Sequence, residues 1–127
     1  MTAWRNIPKK ILVVVGDPDI LNALNIALGS AGFDVDVLLN GTRILTNQFV
    51  RPDLFIIDKQ LPDIDGLEIC RFLNSRPNYK PIPIIIISAS RRVKKKAMEA
   101  GASCFIGKPF VVNDLVKAIR DTLRTVQ

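Results

Sequence analysis

Three side chains at separate points of the chain could together handle a phosphoryl group. Asp58 follows the apolar run Leu54 to Ile57, Ser88 follows Ile84 to Ile87, and Lys108 follows the short stretch Cys104 to Gly107. A carboxylate can attack phosphorus and carry the group as an aspartyl phosphate. A hydroxyl and an ammonium can then hold the phosphate oxygens by hydrogen bonding and charge. Each residue taken singly also reads as a polar group where a strand meets solvent, so the weight rests on their occurring as a set. Other chemistry is excluded by composition. The chain has no histidine, which removes histidine-based catalysis and the usual zinc sites. Its two cysteines, Cys70 and Cys104, form neither a disulfide framework nor a ligand cluster and read as buried or half-buried thiols of a reducing, cytoplasmic setting.

These residues matter only if the elements before them converge. The 127 residues suffice for one domain with a real core, and no linker, repeat or low-complexity segment divides them. Ile11 to Val15 is a continuous apolar run, β-branched except at Leu12, as expected of a strand covered on both faces. Leu21, Leu24, Leu28 and Ala31 recur at helical spacing from Pro18 onward, with Asp17 as N-cap, Pro18 at the first helical position and Gly32 as the stop. Phe33, Val35 and Val37 alternate with Asp34 and Asp36, which predicts a strand with one exposed face near a sheet edge. A weaker helix is expected from about Thr42 to Val50, a third helix around Leu67 to Leu73, and a fourth from about Arg92 to Ala100. Val112 to Val126 reads as a final amphipathic helix. Strict alternation of strand and helix implies a parallel, doubly wound α/β sheet with helices on both faces. Ligands of such sheets bind at the carboxyl ends of the strands, where Asp58, Ser88 and Lys108 stand. The apolar runs are too short for a membrane span, and Met1 to Lys10 lacks a signal-peptide core.

In order and at consistent spacing the chain carries Lys10-Ile-Leu-Val-Val14, Pro52-Asp-Leu-Phe-Ile-Ile-Asp58, Leu61-Pro-Asp-Ile-Asp-Gly66, Ile84-Ile-Ile-Ile-Ser-Ala89, Ala100-Gly-Ala102 and Lys108-Pro-Phe110. Over nearly its whole length it resembles the CheY-like receiver domains of two-component response regulators. The resemblance implies a single receiver domain over residues 1–127, a flavodoxin-like three-layer sandwich and strand order 2-1-3-4-5. It further implies Asp58 as phosphoacceptor, Ser88 as the hydroxyl that follows the phosphate, Lys108 as the cation, a cis peptide before Pro109, and Phe105 as the aromatic switch position. Partners implied are a sensor histidine kinase or phosphotransfer protein upstream and an effector downstream. The module would signal without being an enzyme, and could pair as a dimer through the fourth and fifth helices and the fifth strand.

One part of the family pattern is broken. Receivers usually carry two acidic residues after the first strand, which help to hold Mg²⁺. Aligned on Pro18, those positions are Val15 and Gly16. Asp17 falls one residue late and is already wanted as a helix cap, leaving Asp58 and the backbone carbonyl of Gln60 as donors. A carboxylate about 4 Å from a unit charge contributes roughly 4 kcal/mol at an effective dielectric near 20. Loss of two predicts weak or absent Mg²⁺ binding, and with it weak phosphorylation of Asp58. The alternative is a conventional Mg²⁺-dependent switch in which Asp17 swings in to rescue the site. Two other classes fit less well. An aspartyl-nucleophile phosphatase would want an acid at Gln60, and a flavodoxin-like cofactor carrier would want a phosphate loop richer than Val15-Gly16-Asp17-Pro18.

The net charge of +6 selects no partner by itself, but its distribution is uneven. Arg91, Arg92, Lys94, Lys95 and Lys96 follow the fourth strand. On a helix, Arg91, Arg92, Lys95 and Lys96 share one face opposite Val93, Ala97 and Ala100. This is a solvated face or a docking patch for an acidic partner. No aromatic platform accompanies it, so specific nucleic-acid recognition is not expected.

Overall fold

The computed structural model describes residues 7–125. Five parallel strands, β1 (Lys10–Val14), β2 (Asp34–Leu38), β3 (Leu54–Asp58), β4 (Ile84–Ser88) and β5 (Cys104–Gly107), form one sheet. Their order is β2-β1-β3-β4-β5, as the resemblance implies. The helices are α1 (Pro18–Ser30), α2 (Thr42–Leu45), α3 (Gly66–Ser75), α4 (Lys94–Glu99) and α5 (Val112–Thr125).

The apolar runs are explained by burial on both faces of the sheet. Leu12, Val14, Phe55, Ile57, Ile84 and Ile86 point into a core closed by α2, α3 and α4. Their neighbours in sequence, Ile11, Val13, Leu54, Ile56, Ile85 and Ile87, point the other way, into a core closed by α1 and α5. Strand order reverses between β1 and β3, so the crevice at their carboxyl ends is where such a fold exposes its polar residues.

Three boundaries or faces differ from expectation. The second helix stops at Leu45 rather than near Val50. Thr46 turns its hydroxyl back to the Thr42 carbonyl at 3.1 Å, and Asn47 adopts φ +59°. That reversal drops Phe49 against Phe55 and Tyr79, with ring centroids 5.7 and 5.2 Å away, burial that an extended helix would forfeit. The fourth helix is also shorter than expected. Arg91–Val93 form a separate tight turn, α4 proper runs from Lys94 to Glu99, and Gly101 at φ +109° reverses the chain. Val93, Ala97 and Ala100 nonetheless face the core as spacing predicts. On edge strand β2 the alternation is imperfect. Val37 is 39% exposed, while Asp36 is half-buried because Lys10 Nζ bridges Asp34 at 2.9 Å and Asp36 at 3.2 Å. Finally, α5 is described to Thr125, and Val126 lies outside the described residues, as does most of the Met1 to Lys10 stretch. Among the described residues, no helix is long and apolar enough to cross a membrane.

Candidate functional site

Asp58 ends β3 and lies opposite Ile87 of β4, while Ser88 lies opposite Gly107 of β5. The three candidate residues therefore stand on one rim because their strands are adjacent and in register. Asp58 is buried, and its carboxylate has a partner at each oxygen. Oδ1 accepts from the Gln60 N–H at 3.1 Å, and Oδ2 accepts from the Lys108 ammonium. The Lys108-Pro109 peptide is cis, as implied by the resemblance. Ser88 is buried too, but its hydroxyl accepts from the Ser90 N–H at 3.1 Å. No hydrogen bond among the described residues joins it to Asp58. Phe105 is half-buried and packs against the core on the α3–α4 side.

The loop from β3 to α3 is fixed on several sides. Gln60 bridges to Asp65, Asp65 caps α3 through the Leu67 N–H at 2.8 Å, and Lys59 pairs with Asp65 at 3.0 Å. A Cβ on Gly66 would stand 2.2 Å from the Asp58 carbonyl oxygen, so only glycine lets α3 begin so close to Asp58. Asp63 reaches across to α2. It accepts from the Gly41 N–H at 3.0 Å, the Thr42 N–H at 2.8 Å and the Thr42 hydroxyl. This clamp escaped sequence reasoning. Its one signal was an acid in a short loop between turn-forming residues, which does not reveal a partner 21 residues away.

The donors for a divalent cation can be tested directly. Val15 is 1% exposed, with its side chain in the α1–α5 core, so no ligand can issue from that position without opening the core. Gly16 has no room for a side chain, since a Cβ would lie 2.7 Å from Cδ of Pro62. Asp17 caps α1, accepting from the Asp19 N–H at 2.9 Å and the Ile20 N–H at 3.3 Å. Among the described residues, no three carboxylate, thiol or imidazole groups cluster as a metal site. What lines the cleft beside Asp58 is Gly16, Asp17, Gln60, Pro62 and Lys108. A divalent cation in this cleft would have as protein groups the carboxylates of Asp58, paired with Lys108, and of Asp17, which caps α1, together with Gln60.

The response regulator receiver domain profile matches residues 11–120. The chain belongs to the receiver domain family of response regulators. The receiver is 34% identical over 119 residues to the DNA-binding response regulator MtrA of Mycolicibacterium smegmatis, a match covering 91% of this chain and 51% of that protein. It thus spans about half the length of the curated relatives it matches. A response regulator from Chloroflexus aurantiacus superposes with TM-score 0.87 at 30% identity, covering 93% of this chain and 99% of that one. The chemotaxis response regulator CheY4 of Vibrio cholerae superposes with TM-score 0.83 at 25% identity, covering 91% and 99%. The receiver domain of the sensor histidine kinase PA1611 of Pseudomonas aeruginosa, which holds a magnesium ion in its active-site cleft, shares the fold at TM-score 0.82 and 23% identity, covering 92% of this chain and 98% of that one.

The basic run lies on the surface beside this site. Arg91, Arg92, Lys95 and Lys96 are exposed, as is Lys94. Arg91 lies over the end of β5, its guanidinium carbon 3.3 Å from where a Cβ on Gly107 would stand.

Proposed function

We propose that this receiver is a non-enzymatic signalling module that acts through protein contacts, with little or no Mg²⁺-dependent phosphorylation of Asp58. The observation that carries the reading is the occupation of the acidic-pair positions. Val15 is locked in the core and Gly16 is packed under Pro62. Without a cation, a phosphoryl group nearing Asp58 meets the carboxylate's negative charge with Lys108 alone to offset it. The partners fitting this reading are a histidine kinase or phosphotransfer protein upstream and an effector downstream, in the cytoplasm.

The test is a magnesium titration followed by thermal unfolding and by mass spectrometry after a small-molecule phosphoryl donor or fluoroberyllate. The expected outcome is no Mg²⁺-dependent rise in melting temperature and no added phosphoryl mass at millimolar Mg²⁺. Ready modification of Asp58 would establish the conventional switch instead. That outcome would draw on Asp17, which lines the cleft and caps α1 through Oδ1, and loss of the cap would cost about 1 kcal/mol. Gly16→Asp is expected to lower stability through the Pro62 contact without restoring Mg²⁺ binding.

A further inference from the structure

Beside the edge of the sheet, α1, the carboxyl end of β2 and the start of α2 enclose a hollow of about 440 Å³. One wall is α1, which contributes Leu21 and, a turn apart, Asn22 and Asn25. Val37 and Leu39 form the other, and Asn40 and Arg43 line it from the turn into α2. Leu21 is buried, but Val37 and Leu39 keep 39% and 45% of their exposure, two apolar side chains left to water at one spot. Because β2 is the edge strand, no further strand covers them.

The polar side chains of the hollow are uncommitted. The amides of Asn22, Asn25 and Asn40 make no hydrogen bond, and the Arg43 guanidinium no ion pair, with any described residue. Three amides supply donors and acceptors, and a guanidinium is a planar fork that takes a carboxylate at both oxygens. Arg43 is the one charge among the described residues that line the hollow. Its segment is fixed, since Asp63 holds the Gly41 N–H at 3.0 Å and the Thr42 N–H at 2.8 Å just before it. A carboxylate matches a single cation, whereas a phosphate monoester is nearly a dianion at neutral pH and would keep a charge unmatched. A hollow of this size, with apolar walls and a few convergent polar groups, has the build of a small-molecule site.

We propose that this hollow binds a small apolar carboxylic acid with an internal amide, of the N-acyl amino acid class. The carboxylate meets Arg43, the asparagines read the amide, and the acyl chain covers Val37 and Leu39. The hollow touches the Asp58 cleft at Pro18 alone and shares no polar group with it, so the proposal stands apart from the phosphorylation reading. The test titrates the isotopically labelled chain with N-octanoyl-leucine and follows backbone and asparagine side-chain amide NMR shifts. Saturable shifts centred on Asn22, Asn25 and Leu39 to Arg43 are expected, with a dissociation constant below about 1 mM. Arg43→Gln should weaken binding about tenfold, and the methyl ester of the probe should bind the unaltered chain as weakly, since each change removes half of a charge-assisted pair. Lys80→Gln removes an equal charge at an exposed position between α3 and β4 and should leave the affinity unchanged. Leu39→Asp should abolish binding by setting a second carboxylate against the first. An ester that binds as tightly as the acid, an equal loss in Lys80→Gln, shifts centred elsewhere or no saturable shift would each overturn the proposal. Tighter binding of octyl phosphate than of the acid would overturn it too, because charge matching at Arg43 would not then select the ligand.

Discussion

The Asp58 side chain keeps 6% of its exposure and Lys108 keeps 28%, so the two members of this ion pair depend on each other unequally. Removing Lys108 strands a buried carboxylate whose remaining donor is the Gln60 N–H. Removing the carboxylate instead leaves an ammonium that can turn toward water. Lys108→Ala should therefore cost about 1–3 kcal/mol, the range for a buried polar group left without its partner. Asp58→Asn should cost less. Urea unfolding of both variants checks this, and equal midpoints would show that burial of Asp58 is not what makes the pair matter. The strand ends made Asp58, Ser88 and Lys108 legible as a set. They did not reveal that Ser88 would spend its hydroxyl on the Ser90 N–H.

At the scale of elements, the β3–α3 loop joins the site to the rest of the fold, and Asp63 is its clamp on α2. Burial pushes the Asp63 carboxyl up, but hydrogen bonds from the Gly41 N–H and from Thr42 outweigh it and hold the group below its ordinary value of 3.8. The unfolded chain then binds this proton more readily than the folded one. The stabilisation is present above about pH 4 and fades as pH falls through the lower folded value. Asp63→Ala should cost about 1 kcal/mol or less at neutral pH, as for a lost helix cap on an exposed loop. The gap between the two proteins should narrow in acid. A gap that stays constant to acid pH would show that the clamp does not act through the ionised carboxylate. Elements set by local pattern were readable in advance. The α1 cap at Asp17 and the limits of β5 follow the sequence reading. The early end of α2 was not readable, because Phe49 leaves the helix for partners on β3 and beyond α3.

For the molecule as a whole, the two cores enclose the cysteines to different depths. Cys70 is fully buried, and burial pushes its thiol up to about 11. Cys104 on β5 is half-buried and raised by the same cause. An alkylating reagent at neutral pH should label Cys104 first and reach Cys70 only on global unfolding, so the Cys70 rate should track denaturant stability. Peptide mapping of partly labelled protein checks the order. Prompt labelling of Cys70 would show that α3 opens on its own.

The sheet, its helices, the two-sided burial and the identity of the polar residues at the strand ends were all legible from the amino-acid order. Each of these is written in short-range periodicity or in motifs of fixed spacing. The family resemblance further implies that Val15 and Gly16 stand where acids are usual. What packs against Gly16 emerged from the three-dimensional fold. Pro62, 46 positions further along, lies against Gly16, and Asp63 beside it holds α2. Contacts between loops of different crossovers depend on how the strands lie side by side, and no local pattern encodes that distance. The same holds for the charges of α4. Their number was plain in the sequence, but that they form no ion pair among the described residues became visible only in the fold.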